Sequence, residues 1–346
     1  MRFFLLAAAL SFSARAEDVV RLGNLKFAHY GAVSSMKDHC AKFGVRVEER
    51  MFAKGVDIIP GIVAGEIDLA ASAVDASIAG RASGAPLFVV AGFAKGGARI
   101  VGRGITSIAG LKGKKVGVAR GGAQEILLYA ELAKAGLTWS EKGDKDVTIL
   151  FLAYADLNQA LQSGNIDAMC NSEPQSTQAI ARGYGTEILK PYDTPMGEPV
   201  RALVMTEKLY ANRPLATRVM HCFVDATREF LANPARAEKY VREQMFKGQL
   251  SAEEYKDAMA NAAFTYDITV EHVQVTADLM AKYGVGKLAK APDAKTFVRL
   301  DLLAEAKSAL GVTTGDSKAD SKVDTRAAAP AGPKAPKARP DAGSAK

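Results

Sequence analysis

The sequence predicts an α/β protein of two similar lobes, each a mostly parallel sheet flanked by helices, with a ligand cleft between them. Three observations carry this. Gly65-Glu66-Ile67-Asp68-Leu69-Ala70 is echoed by Gly164-Asn165-Ile166-Asp167-Ala168-Met169. Each copy follows a short helical pattern, and its Gly suits a helix end that needs φ > 0. Each copy also runs into a short apolar strand with a small polar loop after it: Ser72-Ala73-Val74-Asp75 and Asn171-Ser172-Glu173-Pro174.

The elements follow in order. Val19 to Phe27 alternates loosely and reads as a strand, followed by the loop Ala28-His29-Tyr30-Gly31-Ala32-Val33. Ser34 or Ser35 caps a helix to about Phe43, stopped by Gly44. Val45 to Arg50 has the period of two of a strand. After the first Gly-Ile-Asp unit, Asp75 opens a helix to about Ser83. Leu87 to Ala91 is a buried strand, Phe93-Ala94-Lys95-Gly96-Gly97 a bend, and Arg99 to Arg103 a strand leaving the first lobe.

The second half repeats the plan. Lys115 to Val118 is a strand, Ala119 to Gln124 its loop, Glu125 to Ala135 a helix and Val147 to Leu152 a strand before the second unit. Alternating β and α elements predict parallel sheets with covered faces. Pro199 to Met205 returns to the first lobe, and helices follow to Leu310, one opened by the capping-box pattern Ser251-Ala252-Glu253-Glu254. The expected boundaries are 1–16 for a leader, 17–102 and 201–310 for the first lobe, 103–200 for the second, and 311–346 for a disordered Ala/Pro/Lys-rich tail too poor in apolar residues to bury a core.

The chain has 346 residues, 48% of them hydrophobic, enough for substantial cores. Its formal charge of +7 falls to +2 once the leader and tail are set aside, so the body predicts no nucleic-acid surface. Arg2, the apolar run Phe3 to Phe12 and Ala14-Arg15-Ala16 have the order of a secretory signal with its cleavage site. The mature chain is then expected to start at Glu17, in the periplasm. No Cys follows the cleavage site, so no lipid anchor is expected. Cys40, Cys170 and Cys222 lack metal-knuckle spacing and are expected as buried thiols, with one disulfide open in an oxidising compartment.

Several stretches together resemble the nitrate/sulfonate/taurine group of substrate-binding proteins of ABC importers. They are Gly65 to Asp68, Leu111 to Val118, Ala135-Gly136-Leu137, Ala160 to Ala168 and Ser172-Glu173-Pro174. The likeness covers roughly Val19 to Leu310. It implies the type II periplasmic binding fold, a small-molecule anionic ligand, a membrane permease as partner, no cofactor and a monomer. Ser172 stands where that family usually carries Trp, so a change of ligand size and chemistry is expected.

In open α/β sheets ligands bind beyond the carboxyl ends of strands. Helix starts there favour an anion. The expected ligand-binding residues are therefore His29, Tyr30, Ser72, Asp75, Lys95, Arg120, Gly121, Gly122, Asn171, Ser172, Glu173 and Arg201. Arg120, beside two glycines, fits an anion clamp and equally a solvated rim arginine. Arg201 fits a clamp or a structural salt bridge. Asp75 fits a helix cap, or a partner for an amine or urea-like N–H. Glu173 fits a fold-related role. His29, His39, His221 and His272 show no metal spacing, and no Gly-x-Ser-x-Gly elbow occurs, so no catalytic residue or metal is expected. An enzyme of cofactor biosynthesis on the same fold and an extracytoplasmic sensing subunit are the alternatives.

Overall fold

The computed structural model describes residues 17–312; the leader and most of the tail lie outside them. The first half supplies β1 (Asp18–Leu25), β2 (Val45–Phe52), β3 (Leu69–Ala73), β4 (Leu87–Gly96), β5 (Ala98–Gly102) and β6 (Lys114–Val118). β7 (Trp139–Ser140), β8 (Val147–Phe151), β9 (Ala168–Ser172), β10 (Thr186–Leu189), β11 (Val200–Thr206) and β12 (Ala262–Phe264) follow. They form two six-stranded sheets, ordered β12-β4-β11-β3-β1-β2 and β10-β5-β9-β6-β8-β7.

The parallel pairings join β1 to β2 and β3, and β6 to β8 and β9, with the short β7 beside β8. The strands next to each crossing between lobes run antiparallel: β4 and β11 in the first sheet, β5 and β10 in the second. Ala98–Gly102, placed by the sequence at the end of the first lobe, pairs with β9 in the second sheet. The crossing from β4 to β5 is short because Gly96 and Gly97 take φ of +73° and +76°. A Cβ at Gly96 would lie 2.4 Å from the Asn261 carbonyl, and one at Gly97 2.7 Å from the His29 ring. Only glycine fits either position.

The two Gly-Ile-Asp units do one job twice. Gly65 and Gly164 both have positive φ, and Ile67 and Ile166 are buried. The Asp68 backbone N–H donates to the Arg21 carbonyl at 2.9 Å, and that of Asp167 to the Lys115 carbonyl at 2.8 Å. In return the Asp68 carboxylate accepts from the Arg21 N–H at 3.0 Å, and the Asp167 carboxylate from the Lys115 N–H at 2.8 Å. Each aspartate thus sets the register of the strand entering beside it. Asp68 also holds the Arg21 guanidinium at 2.7 and 2.8 Å.

Ser251 and Glu254 form the expected capping box. The segment read as a loop at 28–33 is instead helical: a 3₁₀ turn at Ala28–Tyr30 leads into a turn at Gly31–Ser34. Close packing explains it, since a Cβ on Gly31 would meet Val241 at 2.6 Å and Phe230 at 2.9 Å. Ser35 bonds back to the Ala32 carbonyl and does not cap. Cys40 and Cys222 form a disulfide with Cα atoms 5.2 Å apart, tying the segment after β1 to the long helix Arg213–Ala232. Cys170 alone matches the expected buried thiol.

Replacing Asp68 by Ala is expected to cost about 1–3 kcal/mol, because several donors at the mouth of β1 lose their acceptor. Asp167→Ala should cost less, near 1 kcal/mol, since its carboxylate serves one backbone N–H. Urea unfolding of each variant checks this; equal losses would contradict the assignment.

Candidate functional site

Between the sheets lies a cavity of about 20 Å³, roughly the space of one water in this lobe arrangement. From the first lobe it is lined by Leu25, Phe27, Tyr30, Lys54, Gly55, Val56, Ala73, Asp75 and Arg201. From the second come Arg120, Gly121, Gly122, Gln124, Tyr154 and Ser172. All sit at or just beyond strand ends, except Arg201 near the start of the returning β11.

Arg201 is 2% exposed. Its Nε donates to His29 Nε2 at 3.3 Å and its Nη2 to the Gly96 carbonyl at 3.2 Å. Nη1 makes no hydrogen bond of its own, and the Tyr30 side chain also interacts with the guanidinium. His29 is fully buried, and burial together with the Arg201 charge holds its pKa well below the ordinary value, so it is neutral. As an acceptor at Nε2 it carries its proton on Nδ1. His29 thus orients the guanidinium from behind and does not line the cavity. Tyr30 lies between His29 and Phe93, with ring centroids 5.0 and 4.8 Å away.

Asp75, the second residue of the helix Val74–Ala82, is 3% exposed. Burial pushes its pKa up to about 7, against the pull of Arg201 and of the Ala123 backbone across the cleft. Its Oδ1 has no protein partner. On the opposite wall Tyr154 donates to Gln124 Oε1 at 2.8 Å. Gly122 lets this happen, because a Cβ there would stand 2.4 Å from the Tyr154 hydroxyl.

The other expected site residues divide clearly. Tyr30, Asp75, Arg120, Gly121, Gly122, Ser172 and Arg201 line the cavity. Arg120 does so as a rim arginine: half-exposed, it pairs with Glu141 at 2.5 Å and covers the Phe151 ring at 3.6 Å. The helix start beside it is also engaged, since Glu125 accepts from the Gly121 N–H at 2.5 Å. Ser172 donates to the Gly97 carbonyl at 3.2 Å.

Ser72 donates to the Ala73 carbonyl and packs against Gly55. Asn171 turns to Asn158 and Met169. Lys95 pairs with Glu198 at 3.3 Å on the surface. Glu173 is fully buried against Arg99 at 3.0 Å, Asn261 at 2.9 Å and the Thr177 N–H at 3.0 Å. It supports the crossing between lobes, the fold-related role. These four do not line the cavity.

Leu25, Phe27, Lys54, Gly55, Val56, Ala73, Gln124 and Tyr154 were missed. Lys54 to Val56 and Tyr154 follow β2 and β8, which pair with β1 and β6 in matching places, and the strand-end rule would have found both loops. Among the described residues no group of three or more His, Cys, Asp or Glu is placed to hold a metal ion. No described helix is long and apolar enough to cross a membrane.

Two lobes with matching sheet orders and a cavity at their strand ends define a periplasmic-binding-protein fold. Solved structures with that fold agree. The alkanesulfonate-binding protein SsuA of Xanthomonas axonopodis pv. citri, bound to MOPS, superposes with a TM-score of 0.68 at 20% identity, over 83% of this chain and 100% of its own. The periplasmic nitrate-binding protein NrtA of Synechocystis PCC 6803 gives 0.68 at 16% identity, over 86% and 90%. A putative aliphatic sulfonates-binding protein of Escherichia coli K12 is 31% identical over 144 residues, 40% of this chain and 43% of that relative's length. Residues 19–242 match the NMT1-like family, and the chain belongs to it.

The raised Asp75 pKa has a sign. The folded protein keeps this proton up to about pH 7, whereas an unfolded Asp loses it near 4, so stability falls as pH rises between these values. Asp75→Asn is therefore expected to gain on the order of 1–3 kcal/mol at pH 8 and nothing at pH 4. Melting curves at both pH values check it; a difference independent of pH would refute the account.

Proposed function

We propose that this chain is the solute receptor of an ABC importer, binding a small anion such as a sulfonate, a carboxylate or a nitrate-like ion between its lobes. The observation that carries the reading is the buried Arg201, which lines the cavity and has one guanidinium nitrogen without a hydrogen bond. A buried cation with an unmet donor is costly unless a ligand meets it. The relatives named above are described as binding sulfonates or nitrate, which supports the same ligand class here.

Binding works by bridging. A ligand held by Arg201 on one lobe and by Gly122 or Gln124 on the other stabilises the closed arrangement. The closed lobes then present their outer surfaces to a membrane permease. The leader Arg2 to Ala16 supports export to the periplasm, and no Cys follows its cleavage site to take a lipid. The protein acts as a monomer that binds and releases its ligand unchanged.

Calorimetry of the exported protein with alkanesulfonates, carboxylates and nitrate tests this, with sugars and amines as controls. An anion should bind best. Arg201→Met should weaken it by about 1.5–3 kcal/mol, the worth of a charge-assisted hydrogen bond, and Arg201→Lys by less. A sugar or a cation as best ligand would overturn the anion assignment, and turnover of a bound compound would overturn the receptor role.

A further inference from the structure

A second cavity lies on the other side of Arg120, at the edge of the second sheet. Its volume is about 210 Å³, against about 20 Å³ for the cavity between the sheets. Trp139 of the edge strand β7 and Phe151 of its neighbour β8 form one wall. Glu125 and Tyr129, one turn apart on the helix Ala123–Lys134, form another. Tyr283 closes it from the end of the helix Val270–Tyr283, which packs on the first lobe's helix Val74–Ala82.

Four aromatic rings therefore line this space. Tyr129 stacks on Trp139 with centroids 4.8 Å apart, and Tyr283 stands T-shaped to both, 6.3 and 6.0 Å away. Aromatic rings attract weakly hydrated cations. Two side chains here already use this attraction: Arg120 lies 3.6 Å from the Phe151 centroid, and Lys282, outside the cavity wall, 5.2 Å from that of Tyr283. Charge points the same way. Arg120 is paired with Glu141, so Glu125 is the carboxylate on this wall without a cation of its own. It accepts from the Gly121 N–H and the Tyr129 hydroxyl, and burial raises its pKa, a cost that a bound cation would offset. The helix Val270–Tyr283 also ends here, and its last carbonyls favour positive charge. The rings suit an organic cation, and among the described residues no acidic group is placed to hold a metal ion.

We propose that this cavity is a second binding site, separate from the anion site, for a small organic cation of the quaternary-ammonium class.

Choline and 3,3-dimethylbutan-1-ol share one heavy-atom skeleton and differ in carrying a charged nitrogen or a neutral carbon at its branch, so they test it. Trp139 is the chain's one tryptophan, and its emission reports on the site. Titration of the full protein at pH 8 and constant ionic strength is expected to show a saturable change with choline, at least about fivefold tighter than with the neutral alcohol. Tyr283→Leu should remove that preference, and Tyr283→Phe should keep it. In folded Arg201→Met choline should bind as it does to the wild type. No saturable change, equal binding of the alcohol, or a preference that survives Tyr283→Leu overturns the proposal and leaves the anion-receptor reading intact. Loss of choline binding in folded Arg201→Met, which places the cation in the cavity between the sheets, also overturns it.

Discussion

A guanidinium buried between two lobes must be given acceptors, and much of the centre of this molecule is arranged to do so. Arg201 points from the strand that returns to the first lobe. His29 accepts from it behind, and Gly96 accepts from it at the crossing. The neutral state of His29 follows from the same burial, since an imidazolium beside a buried guanidinium would be repelled. The helical turn at Ala28–Tyr30 sets His29 against this group, with Phe27 stacked on the His29 ring and Tyr30 against Phe93. Its Nη1 is left without a hydrogen bond, and Arg201 lines the cavity.

The carboxylates around the cavity divide by what they already hold. Glu173 and Glu125 are buried, with backbone and side-chain donors around them, and they fasten the crossing and the helix start. Asp75 is as deeply buried, yet it keeps an oxygen unsatisfied. Such an atom in a protein interior calls for an explanation, and this one belongs to a residue that lines the cavity between the lobes.

The duplicated lobe plan was legible in the sequence because each Gly-Ile-Asp unit is a local device: a helix stop, a buried apolar residue and an acceptor for a neighbouring strand. The loops that follow β3, β6 and β9 were legible for the same reason, since strand-end position alone brings Asp75, Gly121, Gly122 and Ser172 to the cavity. Side-chain direction was not legible. Ser72 and Asn171 lie at the right ends of β3 and β9 but point away, because alternate residues of a strand face opposite sides. Arg120 has the reach of a clamp, yet Glu141 and Phe151 claim it from parts of the chain that no local pattern connects to it. The Cys40–Cys222 pairing joins residues 182 positions apart and is a property of the folded chain.

The crossing at Gly96-Gly97 has a mechanical meaning. Gly96 gives its carbonyl to Arg201, and Gly97 gives its carbonyl to Ser172. One connecting peptide segment thus holds a cavity side chain from each lobe. Any rotation of one lobe against the other through this segment turns those carbonyls, and with them the two cavity-lining side chains they hold. Pivot and cavity wall are parts of a single lever, so in this protein the torsion of two glycine residues and the shape of the cavity are one coordinate.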